Sequence, residues 1–117
     1  FLDEDISPVE SETTHVALYN RVVHPKIDGL YFIGYFDAAG GSNIRMMDDQ
    51  AEYIAALVAG AVKRRSKREM LDAITAEKAW SASQFPDSPR YGLELDPRRY
   101  RRNLALDYAR NNFKRKI

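Results

Sequence analysis

The sequence contains no cysteine. This excludes disulfides, thiolate catalysis and cysteine-based metal sites. It fits a cytoplasmic protein, and a cytoplasmic location is expected. Histidine is scarce: His15 and His24 are the only two. A metal site needs three or four converging ligands, and no spacing here supplies them. Both read as ordinary hydrogen-bonded histidines, and no metal site is expected. No apolar run approaches the roughly 18 to 20 residues of a membrane span. The opening Phe1-Leu2-Asp3-Glu4-Asp5 is acidic where a secretory signal would be basic. Dinucleotide and phosphate-loop fingerprints are missing. Gly40-Gly41-Ser42-Asn43 lacks the Gly-x-Ser-x-Gly of a nucleophile elbow. Asp48-Asp49 reads as a solvated pair. No catalytic residue is assigned, and no internal repeat is present.

What is there is enough for one modest core: 117 residues, 44% of them hydrophobic. The near-neutral total of +1 hides an asymmetry. Residues 1–62 hold 3 Lys/Arg against 10 Asp/Glu, whereas residues 63–117 hold 15 against 7. A basic half invites a nucleic-acid reading. The basic residues are interleaved with acidic ones, however, and no nucleic-acid-binding fingerprint is present. Attraction between the two halves, or their belonging to one larger surface, accounts for the pattern better. The chain starts without Met, in an acidic segment that reads as a connection from something earlier, so a fragment is expected.

Val16 to Val23 is β-prone and reads as a strand ended by Pro25. Asp28-Gly29 signals a turn. Leu30 to Ile33, between Gly29 and Gly34, reads as a buried strand, the two strands forming a hairpin or neighbouring edges. Ala38-Ala39-Gly40-Gly41-Ser42 is a small-residue loop. A helix is then expected over about Ile44 to Lys63, with Gln50, Ile54, Leu57, Val58 and Ala61 on its apolar face. Asp48, Asp49 and Glu52 near its start and Lys63 to Arg65 at its end would complement its dipole. Gly60 implies a packing reason or an early end. Ser66-Lys67-Arg68-Glu69 matches a capping box and opens a second helix to about Lys78. Phe85 to Gly92 holds two Pro and one Gly, which forbid regular structure. Asp96-Pro97 announces a last helix, with Asp96 as N-cap. Pro97, Tyr100, Leu104, Tyr108 and Asn111 form its expected buried stripe. The end, Lys114-Arg115-Lys116, is expected to fray.

One stretch carries more than local structure. His24-Pro25-x-Ile27-x-Gly29-Leu30-Tyr31-Phe32-Ile33-Gly34 leads to a Gly-rich loop and to Met46-x-Asp48-x-Gln50-Ala51. This pattern resembles the C-terminal part of flavin-containing monooxygenases, which are FAD- and NADPH-dependent and related to the Baeyer–Villiger and N-hydroxylating enzymes. The resemblance covers roughly residues 1–110. It implies an α/β fragment: the last strands of an FAD-binding Rossmann-like domain followed by three C-terminal helices. Residues 1–65 would finish the FAD domain, and 66–117 would form a helical cap. Gly34, Phe36 and Gln50 would lie near the flavin. The parent enzyme would insert one oxygen atom into a nucleophilic nitrogen or sulfur, or a ketone, through a flavin hydroperoxide.

The resemblance further implies that the partners are the upstream FAD and NADPH domains and a small-molecule substrate. Both dinucleotide fingerprints of that family lie upstream of the matching stretch and are absent here. This chain alone should therefore bind neither cofactor tightly, and it should not be catalytic by itself. Open strand edges would favour self-association. A rival reading is a non-enzymatic α+β interaction module. Its basic last helix, with Arg98, Arg99, Arg101, Arg102 and Arg110, would bind an acidic partner.

Overall fold

Three helices form where local sequence supports them in the computed structural model, which describes residues 6–9, 15–38, 43–84 and 94–112. Helix α1 covers Asn43–Val58. It stops short of Lys63 because Gly60 adopts a left-handed φ of 78°, which glycine takes at no steric cost. Helix α2 covers Lys67–Gln84, one and a half turns beyond its expected end. Ser66 caps it: the Glu69 amide donates to Ser66 Oγ at 3.2 Å, and the hydroxyl donates to Glu69 Oε1 at 3.0 Å. Helix α3 covers Pro97–Arg110, with Asp96 as N-cap accepting from the Arg98 amide at 3.0 Å.

The expected Rossmann-like sheet is absent among the described residues, and the fold is helical. Among the described residues the strand pairing is parallel and two residues long, β1 (Asp37–Ala38) beside β2 (Glu94–Leu95), with isolated antiparallel bridges at Val9–Val16, Tyr19–Val23 and Val23–Tyr31. The physical reasons are local. Asn20 and Arg21 take left-handed φ of 49° and 61°, which folds the Val16–Val23 run back on itself. Tyr19 and Val23 then exchange backbone hydrogen bonds at 2.9 and 3.0 Å. Left-handed φ at two successive positions is the signature of a tight hairpin turn, and Asn tolerates it. Leu30 to Ile33 lies beside Val22 to His24 through only two bonds: His24 N–H to the Leu30 carbonyl at 3.1 Å and Phe32 N–H to the Val22 carbonyl at 2.8 Å. Gly34, at φ 90°, then turns the chain away. Tyr31 and Phe32 are half-buried and Ile33 is 45% exposed, so this stretch is not an inner strand.

The core sits where α1 and α3 meet the Tyr19–Val23 turn. Val22, Met46, Tyr53, Met70, Tyr100 and Leu104 are buried in one cluster that draws on both sides of residue 65. Tyr53 and Tyr108 pack edge to face, with centroids 5.8 Å apart, a favoured aromatic geometry. The buried face of α1 agrees with the expected one at Gln50, with Ile54 and Leu57 half-buried against the core, and departs from it elsewhere. Met46, Asp49, Gln50, Tyr53 and Ala56 face inward, while Val58 is 70% exposed and Ala61 is exposed. The face is turned because Asp49 meets Arg101 at 3.2 Å and because Tyr53, the largest fully buried side chain, fills the centre. Lys63 to Arg65 lie beyond the shortened helix, so they do not answer its dipole. They fasten other segments instead: the Lys63 amide donates to Asn111 Oδ1 at 3.0 Å, and Arg64 Nη2 to the His24 carbonyl at 2.7 Å.

The Phe1-Leu2 opening, residues 39–42 of the small-residue loop, the Phe85 to Gly92 stretch and the Lys114 to Lys116 end lie outside the described residues.

Candidate functional site

Gly34, Phe36 and Gln50 come from a turn and from the second turn of α1. The structure brings the first and last of them into direct contact. Gly34 N–H donates to Gln50 Oε1 at 3.0 Å. Gln50 is fully buried, and its other end is committed too: Nε2 donates to the Tyr100 hydroxyl at 3.2 Å. Tyr100 in turn donates to the Asn20 carbonyl at 2.6 Å. Gln50 therefore supports the Gly34 turn from beneath. Phe36 is half-buried and packs against the core. Its amide donates to the Gly34 carbonyl at 3.0 Å, a three-residue turn centred on Tyr35.

Gly34 itself is exposed. A Cβ there would come within 3.4 Å of Met47 Sδ, and the φ of 90° is one that other residues rarely adopt. The result is a spot of bare backbone beside Met47 and the start of α1. A flat ring edge could reach the backbone there without meeting a side chain of residue 34. Gly34 thus leaves its backbone bare at this edge, Phe36 follows two residues on, and Gln50 supports the turn.

A second polar cluster adjoins this one through Asn20. Asp107 is buried, accepts from the Tyr53 hydroxyl, and accepts from Arg65 Nε at 3.3 Å. Arg65 also hydrogen-bonds Tyr19, and Asn20 Nδ2 donates to Tyr53 at 3.1 Å. Burial holds the Tyr53 proton on above the usual phenol range, and the hydrogen bond to Asp107 adds to this. Burial likewise raises Tyr19 and Tyr100. These groups remain neutral donors near pH 7, so the cluster reads as structure. Sequence reading did not single out Tyr53, Asp107 or Asn20. A polar residue inside an apolar pattern is the one signal they carry.

His24 is buried, and its Nδ1 accepts from the Lys26 and Ile27 amides, each at 3.2 Å. It caps the turn after Pro25. No cluster of three metal-binding side chains occurs among the described residues. A groove of about 450 Å³ runs between the Tyr19 turn, α2 and α3, with Arg65, Glu69, Glu77 and Arg99 in its wall. None of Gly34, Phe36 and Gln50 lines it, and its mixed charge favours no one class of ligand.

The arginines of α3 divide. Arg99 pairs with Glu77 at 3.1 Å and stacks over Trp80 at 4.1 Å from the ring centre. Arg101 pairs with Asp49. Arg98, Arg102 and Arg110 are exposed. No helix of the described residues is long and apolar enough to cross a membrane. No protein family, curated protein or solved structure matches the chain.

Proposed function

We propose that this chain acts as the C-terminal portion of an FAD- and NADPH-dependent monooxygenase in the cytoplasm, supplying a flavin-edge turn and the helical framework that holds it. The observation that carries the reading is the meeting of Gly34 with Gln50. Two positions far apart in the resembling pattern form one hydrogen-bonded unit, beside an exposed, side-chain-free backbone. When bound, FAD would supply oxygen activation and NADPH the hydride, for oxygenation of a nucleophilic nitrogen or sulfur or of a ketone.

The role of this chain is narrower. Gly34 would present its backbone, Phe36 would flank the ring, and Gln50 would fix the turn from below. The start of α1 lies nearby, and a helix dipole favours negative charge at that end. The proposal includes no Rossmann-like sheet from this chain, because the described residues form none. Binding of FAD and NADPH would rest on domains upstream in the same protein.

The test is the visible flavin absorbance of the purified parent protein. A yellow parent that loses its colour on Gly34→Val is the expected outcome. A colourless parent without Gly-x-Gly-x-x-Gly before Phe1 would overturn the reading. Self-association of the isolated chain belongs to the same proposal, since Ile33, Ile44, Val58 and Leu106 expose apolar surface. Light scattering at rising concentration tests it, and a monodisperse monomer would count against it.

The rival, an interaction module with a basic helix, draws on Arg98, Arg102 and Arg110 alone, since Arg99 and Arg101 are engaged internally.

A further inference from the structure

We infer that Tyr100 is a positioning residue for the Gly34 turn, acting through Gln50, so that the first turn of α3 sets the backbone geometry of that edge. The flavin reading enters only in saying what the turn faces; the relay stands on hydrogen-bond chemistry alone.

Each link has one allowed direction. Gly34 contributes an N–H, which is only a donor, so the Gln50 atom facing it at 3.0 Å must be the carbonyl oxygen. The Gln50 end facing Tyr100 at 3.2 Å is then the amide nitrogen, again a donor. The Tyr100 oxygen accepts from it, and its own proton must go elsewhere. It goes to the Asn20 carbonyl at 2.6 Å, which is only an acceptor. Flipping Gln50 would set two donors against each other at Gly34. It would also demand the Tyr100 proton that Asn20 already takes. Gln50 and Tyr100 are both buried, at 0% and 4% exposure, so water cannot replace a lost partner, and an unmet polar group there is costly.

The far end of the relay is anchored. Asn20 is held by its own side chain, which donates to Tyr53 at 3.1 Å. The near end is the soft one: Gly34 is exposed, free of a side chain, and held in a conformation that suits glycine. Its carbonyl receives the Phe36 amide at 3.0 Å, so fixing Gly34 also fixes where Phe36 begins.

The experiment is amide hydrogen exchange with nitrogen–proton spectra of the flavin-free chain, comparing wild type with Tyr100→Phe and Leu104→Ala. Tyr100→Phe keeps the ring in the core and removes only the hydroxyl. It should speed exchange at Gly34 about tenfold beyond the change at core amides, the scale of one net hydrogen bond, and shift the Gln50 side-chain NH₂ signals. Leu104→Ala opens a cavity one turn along the same helix. It should lower protection across the core without a selective effect at Gly34. Equal changes at Gly34 in both variants would overturn the inference, as would a Gln50 NH₂ pair in the wild type that exchanges as fast as an exposed one. The wild-type measurement decides even if a variant fails to fold. No flavin is present in any sample, so failure here is distinct from a colourless parent protein.

Discussion

At the scale of single residues, the core includes two buried phenols, Tyr53 and Tyr100, whose hydroxyls are hydrogen-bonded. Tyr53 is fully buried and its hydroxyl lies between Asp107 and Asn20. Tyr53→Phe removes the donor from a buried carboxylate and should cost about 1 to 3 kcal/mol, read from urea unfolding. Titration follows from the same burial. Tyr19, Tyr53 and Tyr100 hold their protons above the ordinary value near 10, chiefly because burial disfavours phenolate. A folded pKa above the unfolded one means that the stability these groups carry is whole below about pH 10. It is lost as pH rises past that value. Of the seven tyrosines, Tyr53 and Tyr100 carry the large upward shifts and should ionise together with unfolding. The tyrosinate absorbance should therefore rise in two phases in buffer and in one phase in urea.

At the scale of elements, the helix ends follow from a few side chains whose chemistry is local. Asp96 before Pro97 and Ser66 before Glu69 cap α3 and α2 as their spacing implied. Asp96→Ala should destabilise the fold by about 1 kcal/mol, within a range of about 0.5 to 2, in chemical denaturation. Gly60 ends α1 through a φ of 78°, and its missing Cβ would meet open space. Gly60→Ala should therefore destabilise by conformational strain alone, at about 1 kcal/mol. The inward face of α1 was the part that periodicity misjudged. Of the counted stripe, Gln50 is buried and Ile54 and Leu57 are half-buried against the core, but Val58 and Ala61 are exposed, and the helix buries Asp49, Gln50 and Tyr53 together. Each of those carries a polar atom whose partner, Arg101, Tyr100 or Asp107, sits on α3. A stripe counted along one helix contains no information about hydrogen-bond partners on another.

At the scale of the whole molecule, charge separation along the chain is used internally. Acidic Asp49 in the first half meets Arg101 in the second, and Arg64 reaches Asp28 at 3.7 Å. If the remaining arginines were a docking surface, Arg98→Ala with Arg102→Ala would abolish binding to a polyanion such as heparin. We expect at most a two- to threefold loss, weakening further with salt, because an exposed charge contributes little and salt screens it. Retention on an anion column at rising salt checks this.

Helix positions, two of the three helix starts and the buried Tyr100–Leu104–Tyr108 stripe were set by residue order, because capping and periodicity act within a few residues. The absence of a Rossmann-like sheet among the described residues, the tilt of α1's buried face and the meeting of Gly34 with Gln50 were settled only in three dimensions. Leu30 to Ile33 is apolar enough for a strand. A strand, however, is made by its neighbours' hydrogen bonds, and those belong to the tertiary fold.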